Sequence, residues 1–121
     1  MPTRRGFAYW LEGADGAVLL RRRVEQGLLG GMMEVPSSFW QQEVDRNDLR
    51  DQPLEAHWQL MPGIVRHTFT HFHLELTVLR AVATENTKAT PPLKFVPQAQ
   101  LRYEALPTVM RKIVAHVLGE G

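Results

Sequence analysis

Arg66, His67, Phe69, Thr70 and His71 crowd into one short stretch, and His73 and Glu75 follow directly. Three of the five histidines of the chain lie here. These side chains could serve two chemistries. Imidazoles at 67, 71 and 73, with Glu75, could ligate a metal. A ring, a hydroxyl and several cations could instead meet a nucleic acid. The metal reading is the weaker one. His71, His73 and Glu75 share one strand face, and same-side positions on a strand stand about 7 Å apart. Metal sites also usually recruit a ligand from a second element. The nucleic-acid reading uses each residue type for what it does well. A phenylalanine at a hairpin tip can wedge into a base stack. A hydroxyl both donates to and accepts from a base edge. Histidine and arginine contact phosphates. Phe69 could equally be a core residue, because alternation is ambiguous at a turn.

Other constellations are poorer. The run Gly27-Leu28-Leu29-Gly30-Gly31 lacks the lysine and Ser/Thr of a phosphate loop and the glycine spacing of a dinucleotide site. It reads as a tight loop where backbone approaches backbone. No Gly-x-Ser-x-Gly elbow exists, and Ser37-Ser38 sit in a polar loop. Glu34, Glu43 and Asp45 are too scattered to suggest a magnesium site. The chain has no cysteine, which excludes disulfides, thiolate zinc, an iron–sulfur cluster and a cysteine nucleophile. No catalytic set and no metal site are expected.

The elements that must position this stretch can be read from pattern. Residues 7–11 and 17–23 have strand composition and flank Asp15-Gly16, which predicts an antiparallel hairpin. Met32 to Val35 forms a short strand ended by Pro36. Residues 37–53 are polar and acidic, with a short helix possible at 46–51. Another strand covers 54–60, and Met61-Pro62-Gly63 breaks it. Residues 64–68 form the incoming arm of a second hairpin, with 69–71 at its tip. From 72 onward Phe72, Leu74, Leu76 and Val78 point to the core, and His71, His73, Glu75 and Thr77 point away. Phe95 to Tyr103 is a short strand or extended piece. A helix spans about 107–118, with Val109, Met110, Ile113, Val114, Val117 and Leu118 on one stripe and Gly119 as its cap. The sum is an α+β domain, not a parallel βαβ protein.

At 121 residues the chain suits one domain. Its 44% apolar and 22% charged residues are typical of a soluble fold. No run is long and apolar enough for a membrane span, and no signal peptide stands at the N-terminus. A cytoplasmic monomer is expected. The net charge is +1, yet Arg4-Arg5 and Arg21-Arg22-Arg23 cluster early while the middle is acidic. A basic face is therefore possible, though ordinary solvated charge is the simpler reading.

Three motifs resemble one family, in its order. Residues 21–36, Arg-Arg-Arg-Val-Glu-Gln-Gly-Leu-Leu-Gly-Gly-Met-Met-Glu-Val-Pro, are similar to a segment of the C-terminal domain of MutY-type A/G-specific adenine DNA glycosylases. Arg66-His67-Thr68-Phe69-Thr70-His71-Phe72-His73-Leu74 resembles the signature hairpin of that domain. Leu106 to Ile113 resembles its closing helix. Residues 1–6 look like the end of the linker that enters it, leaving 7–121 as the domain. The resemblance implies a Nudix-like α/β sandwich with a mixed or antiparallel sheet and a C-terminal helix. Nudix hydrolases carry a helix with an Arg-Glu-x-x-Glu-Glu run that binds metal. Here Pro36 is followed by Ser-Ser-Phe-Trp-Gln-Gln-Glu-Val-Asp-Arg-Asn-Asp, so pyrophosphate hydrolysis is not expected.

The resemblance further implies a domain that cuts nothing and reads 8-oxoguanine opposite adenine in double-stranded DNA. By carry-over, Phe69 wedges beside the lesion, Thr70 meets its N7–H and O8 edge, and His71 contacts backbone or lesion. Arg66 and His67 add phosphate contacts. Thr70 stands where the family more often has serine, which keeps the hydroxyl but restricts χ1. Met33 stands where many relatives have tryptophan. The adenine-excising domain of the family, with its catalytic Glu and Asp and four-cysteine iron–sulfur cluster, has no counterpart here. The chain would then be the C-terminal piece of a longer enzyme, or a free-standing relative, with no cofactor of its own and the catalytic domain as a partner. A Nudix-type hydrolase of oxidised nucleotides and a protein-binding module are the alternatives.

Overall fold

The computed structural model describes residues 1–24, 26–84 and 86–119. Seven strands form one mixed sheet among these residues: β1 (Thr3–Glu12), β2 (Val18–Arg22), β3 (Met33–Glu34), β4 (Gln59–Leu60), β5 (Val65–Thr68), β6 (His73–Val82) and β7 (Leu93–Val96). A 3-10 helix, Gln98–Tyr103, and helix α1, Thr108–Leu118, follow. The order along the sheet is β3-β2-β1-β6-β4, with β5 also on β6 and β7 also on β2.

The longest ladder is parallel. β1 and β6 pair over ten positions, from Thr3 opposite His73 to Glu12 opposite Val82. Both strands are buried on two faces along their middle, as a parallel pair requires. Ala8, Trp10, Leu74, Leu76 and Val78 face one layer, where Val109, Met110 and Ile113 of α1 complete the main core. Phe7, Tyr9 and Leu79 face the other layer, under Val44, Leu49 and Trp58. That second cover is the non-helical segment 37–58, here called the strap. Gly119 ends α1 in the left-handed region at φ 70°, as its sequence position predicts.

Several expectations change. β1 begins at Thr3, inside the segment 1–6 expected as the end of a linker, and pairs there with the first positions of β6. The turn at Asp15-Gly16 is present, but β1 and β2 meet only at Glu12 and Val18. β2 then diverges to pair with β7 and β3. No helix forms at 46–51. Asp45 Oδ1 accepts from the Asn47 amide and Asp48 Oδ1 from the Arg50 amide, and such local turns compete with a helix. The strand expected at 54–60 shrinks to Gln59–Leu60, since Leu54, Ala56 and Trp58 are used to cover the sheet. The piece from 95 to 103 divides into the end of β7 and the 3-10 helix.

Candidate nucleic-acid interface

β5 and β6 form the expected hairpin, with Val65 opposite Leu76 and Thr68 opposite His73. The Phe69 amide donates to the Phe72 carbonyl at 2.9 Å, which closes the tip on Thr70 and His71. Both of these residues are exposed. The hairpin thus presents the hydroxyl and the imidazole at its outermost point.

Phe69 is packed, not free. Its side chain is half-buried and packs against the main core. Its ring stacks on Trp40 at 5.7 Å between centroids and 25° between planes. It also meets Phe72 at 4.9 Å and the His67 ring edge-on at 4.8 Å. Two guanidiniums close the ends of this column. Arg4 lies 4.5 Å above the Phe72 ring, and Arg23 lies 5.0 Å above Trp40. A cation over an aromatic face is attracted by the ring quadrupole. Gly6 makes room for Trp40: a Cβ there would come within 3.0 Å of the Trp40 ring and of Ser38 Oγ.

The column is tied to the glycine loop. Arg23 Nε donates to the Leu28 carbonyl, and Arg22 Nη1 to the Gly31 carbonyl at 2.7 Å. Gly27 and Gly31 have φ of 90° and 79°, so the loop needs them for its turns. Arg23 and Arg21 each bind one oxygen of Glu34 at 3.0 Å. Glu34 is only 3% exposed, so this carboxylate is a buried anchor for two cations. The loop, the Arg23–Glu34 pair and the hairpin tip form one continuous packed unit.

Arg66 and His67 part company. Strand alternation sends them to opposite faces. Arg66 is exposed and pairs with Glu75 at 3.3 Å. His67 turns toward Phe69 and α1, and its Nδ1 is buried with no hydrogen-bond partner among the described residues. Burial, then the nearby Lys112 charge, lowers its pKa below the usual 6.5. A neutral, inward imidazole is a poorer phosphate ligand than an exposed cation. His73 lies on the outer face, where its Nδ1 is 2.8 Å from Thr68 Oγ1.

Among the described residues no three His, Asp or Glu side chains converge to hold a metal ion. In the strap, Asp45 and Asp48 accept from the amides of their own turns, and Asp48 also pairs with Arg50. No helix among the described residues is long and apolar enough to cross a membrane.

Sequence reasoning missed Trp40, Arg4 and Arg23 as parts of the tip. The early arginine clusters were the available signal. Trp40 gave none, because it is far in sequence and lies in a polar run.

Residues 7–116 match the NUDIX domain family model. Over 113 aligned residues the chain is 32% identical to human adenine DNA glycosylase, covering 84% of this chain. It spans 21% of the length of that relative. The C-terminal domain of mouse MUTYH, solved in complex with human PCNA, superposes with a TM-score of 0.75 at 22% identity, covering 97% of this chain and 88% of that one. The MutT protein of Methanosarcina mazei Go1 superposes with a TM-score of 0.77 at 17% identity, covering 98% and 95%. The extent of the family match, together with the sandwich and its hairpin, leads to one conclusion: the chain belongs to the NUDIX domain family.

Proposed function

We propose that the chain is a lesion-reading domain that binds duplex DNA carrying 8-oxoguanine opposite adenine and breaks no bond itself. Excision would belong to a catalytic domain elsewhere in the enzyme. The observation that carries this reading is the hairpin tip, where exposed Thr70 and His71 stand on a braced aromatic base. The similarity to a human adenine DNA glycosylase supports it.

The chemistry is specific. Oxidation turns guanine N7 from an acceptor into an N–H donor, and the Thr70 hydroxyl can accept from that donor. Discrimination requires the Thr70 proton to be committed elsewhere, since a free hydroxyl could also donate to guanine N7. An oxygen of the DNA can supply that acceptor. Phe69 acts as a platform under the tip, because its ring is already stacked on Trp40. A rigid base limits the entropy lost when the tip docks.

The test is an NMR titration of the labelled domain at low salt, with duplexes that differ only in 8-oxoguanine or guanine opposite adenine. Selective shifts at Thr70 and His71 with the lesion duplex are expected. Identical shifts with both duplexes would contradict the reading. Magnesium-dependent pyrophosphate release from 8-oxo-dGTP would move the chain to the hydrolases.

A further inference from the structure

We infer that the open end of the sheet face opposite α1 is a docking surface for the phosphates of one DNA strand, built on Arg5, Glu75 and Arg66. This inference rests on the proposed DNA function and extends it to a surface beyond the tip.

Register puts these residues in one row. Arg5 of β1 and Arg66 of β5 both pair with Glu75 of β6, from its two sides. Paired residues point to the same face, so the three side chains stand abreast across three strands. The ion pairs follow from that geometry: Arg5 Nε to Glu75 Oε1 is 3.2 Å, and Arg66 Nε to Glu75 Oε2 is 3.3 Å. The next row toward the tip is Thr3, His73 and Thr68, again in register. The tip residue Thr70 lies two positions beyond Thr68.

The row is accessible. The side chains of Arg5, Glu75 and Arg66 are 45%, 25% and 68% exposed. Farther along the same face the strap buries Phe7, Tyr9 and Leu79. It reaches Arg5 at Gln41, whose backbone exchanges two hydrogen bonds with that of Arg5, and at Gln42, whose carbonyl accepts from Arg5 Nη1. Both guanidiniums use Nε on Glu75. Among the described residues, no hydrogen bond is formed by the two Nη groups of Arg66 or by the second Nη of Arg5.

Charge chooses the occupant. Two fixed cations and one carboxylate leave a net positive row, flanked by hydroxyl and imidazole groups that bind phosphate oxygens well. Glu75 holds the guanidiniums side by side and also competes with phosphate for them. The row should therefore bind weakly and reversibly, in line with the tip and without reading sequence.

Equilibrium binding of the domain to lesion and undamaged duplexes, over a series of salt concentrations, tests this. Arg5→Gln and Arg66→Gln should each weaken both duplexes alike and reduce the salt slope by about one. Their ratio for lesion over undamaged DNA should not change. Arg5→Lys and Arg66→Lys should restore most of the slope. Glu75→Gln should tighten both duplexes, because a competing anion is removed. Arg102→Gln, on the 3-10 helix of the other layer, should leave the slope unchanged. The inference is overturned if neither arginine variant changes the slope, or if Arg102→Gln changes it equally. Absence of any lesion preference in the unaltered domain would instead defeat the lesion reading, while the slopes still report on the row.

Discussion

Trp40 and Phe69 stack 5.7 Å apart across 29 positions of sequence, joining the strap to the hairpin tip. The contact gives the tip a side-chain brace in addition to its backbone hydrogen bonds. It also places the Arg23 cation, and through it the glycine loop, at the base of the reading residues.

Removing that brace should cost stability first. Trp40→Ala is expected to destabilise the domain by about 3 kcal/mol, the low end of large aromatic losses, since Trp40 is only partly buried. Trp40→Phe keeps a stacked ring and should lose only about 1 kcal/mol. Urea unfolding of the two variants checks this; equal losses would show that a ring kept at this position contributes nothing.

Glu34 and Glu75 each bridge two arginines, and burial separates them. Glu34 is 3% exposed, so Glu34→Gln leaves Arg21 and Arg23 without their shared anion and should cost about 3 kcal/mol. The Glu75 pairs are solvated, and Glu75→Gln should change stability by less than about 1 kcal/mol. Matched unfolding midpoints decide between this order and its reverse.

His67 should make the fold sensitive to acid. Its folded pKa lies below the unfolded value of 6.5, so the unfolded chain binds the proton more readily. The stability it contributes is therefore full above pH 6.5 and declines as pH falls from there toward the lower folded pKa. An NMR titration should place the His67 ring midpoint below 6.5. His67→Gln should flatten that part of the stability profile. A midpoint at or above 6.5 contradicts the inward, unpartnered placement.

Much of the site could be read from sequence, because strand alternation from Phe72 to Val78 fixes the hairpin register and hence its tip. The same alternation separates Arg66 from His67, yet the two were grouped because they adjoin in sequence. The helix at 107–118 was clear, since its apolar stripe is long and uninterrupted. The parallel β1–β6 ladder was not, because pairing across some seventy residues leaves no local signal. Trp40 was hidden for the same reason. The Asp45 and Asp48 turns defeated a helix that composition alone permitted.

The most direct measurement is the ratio of affinities for 8-oxoguanine and guanine duplexes, both opposite adenine, for the unaltered domain, Thr70→Ala and Thr70→Ser. The proposed function predicts a clear lesion preference that falls about tenfold in Thr70→Ala, the worth of one good base-edge contact, and survives in Thr70→Ser. A preference unchanged in Thr70→Ala, or absent from the unaltered domain, would contradict it.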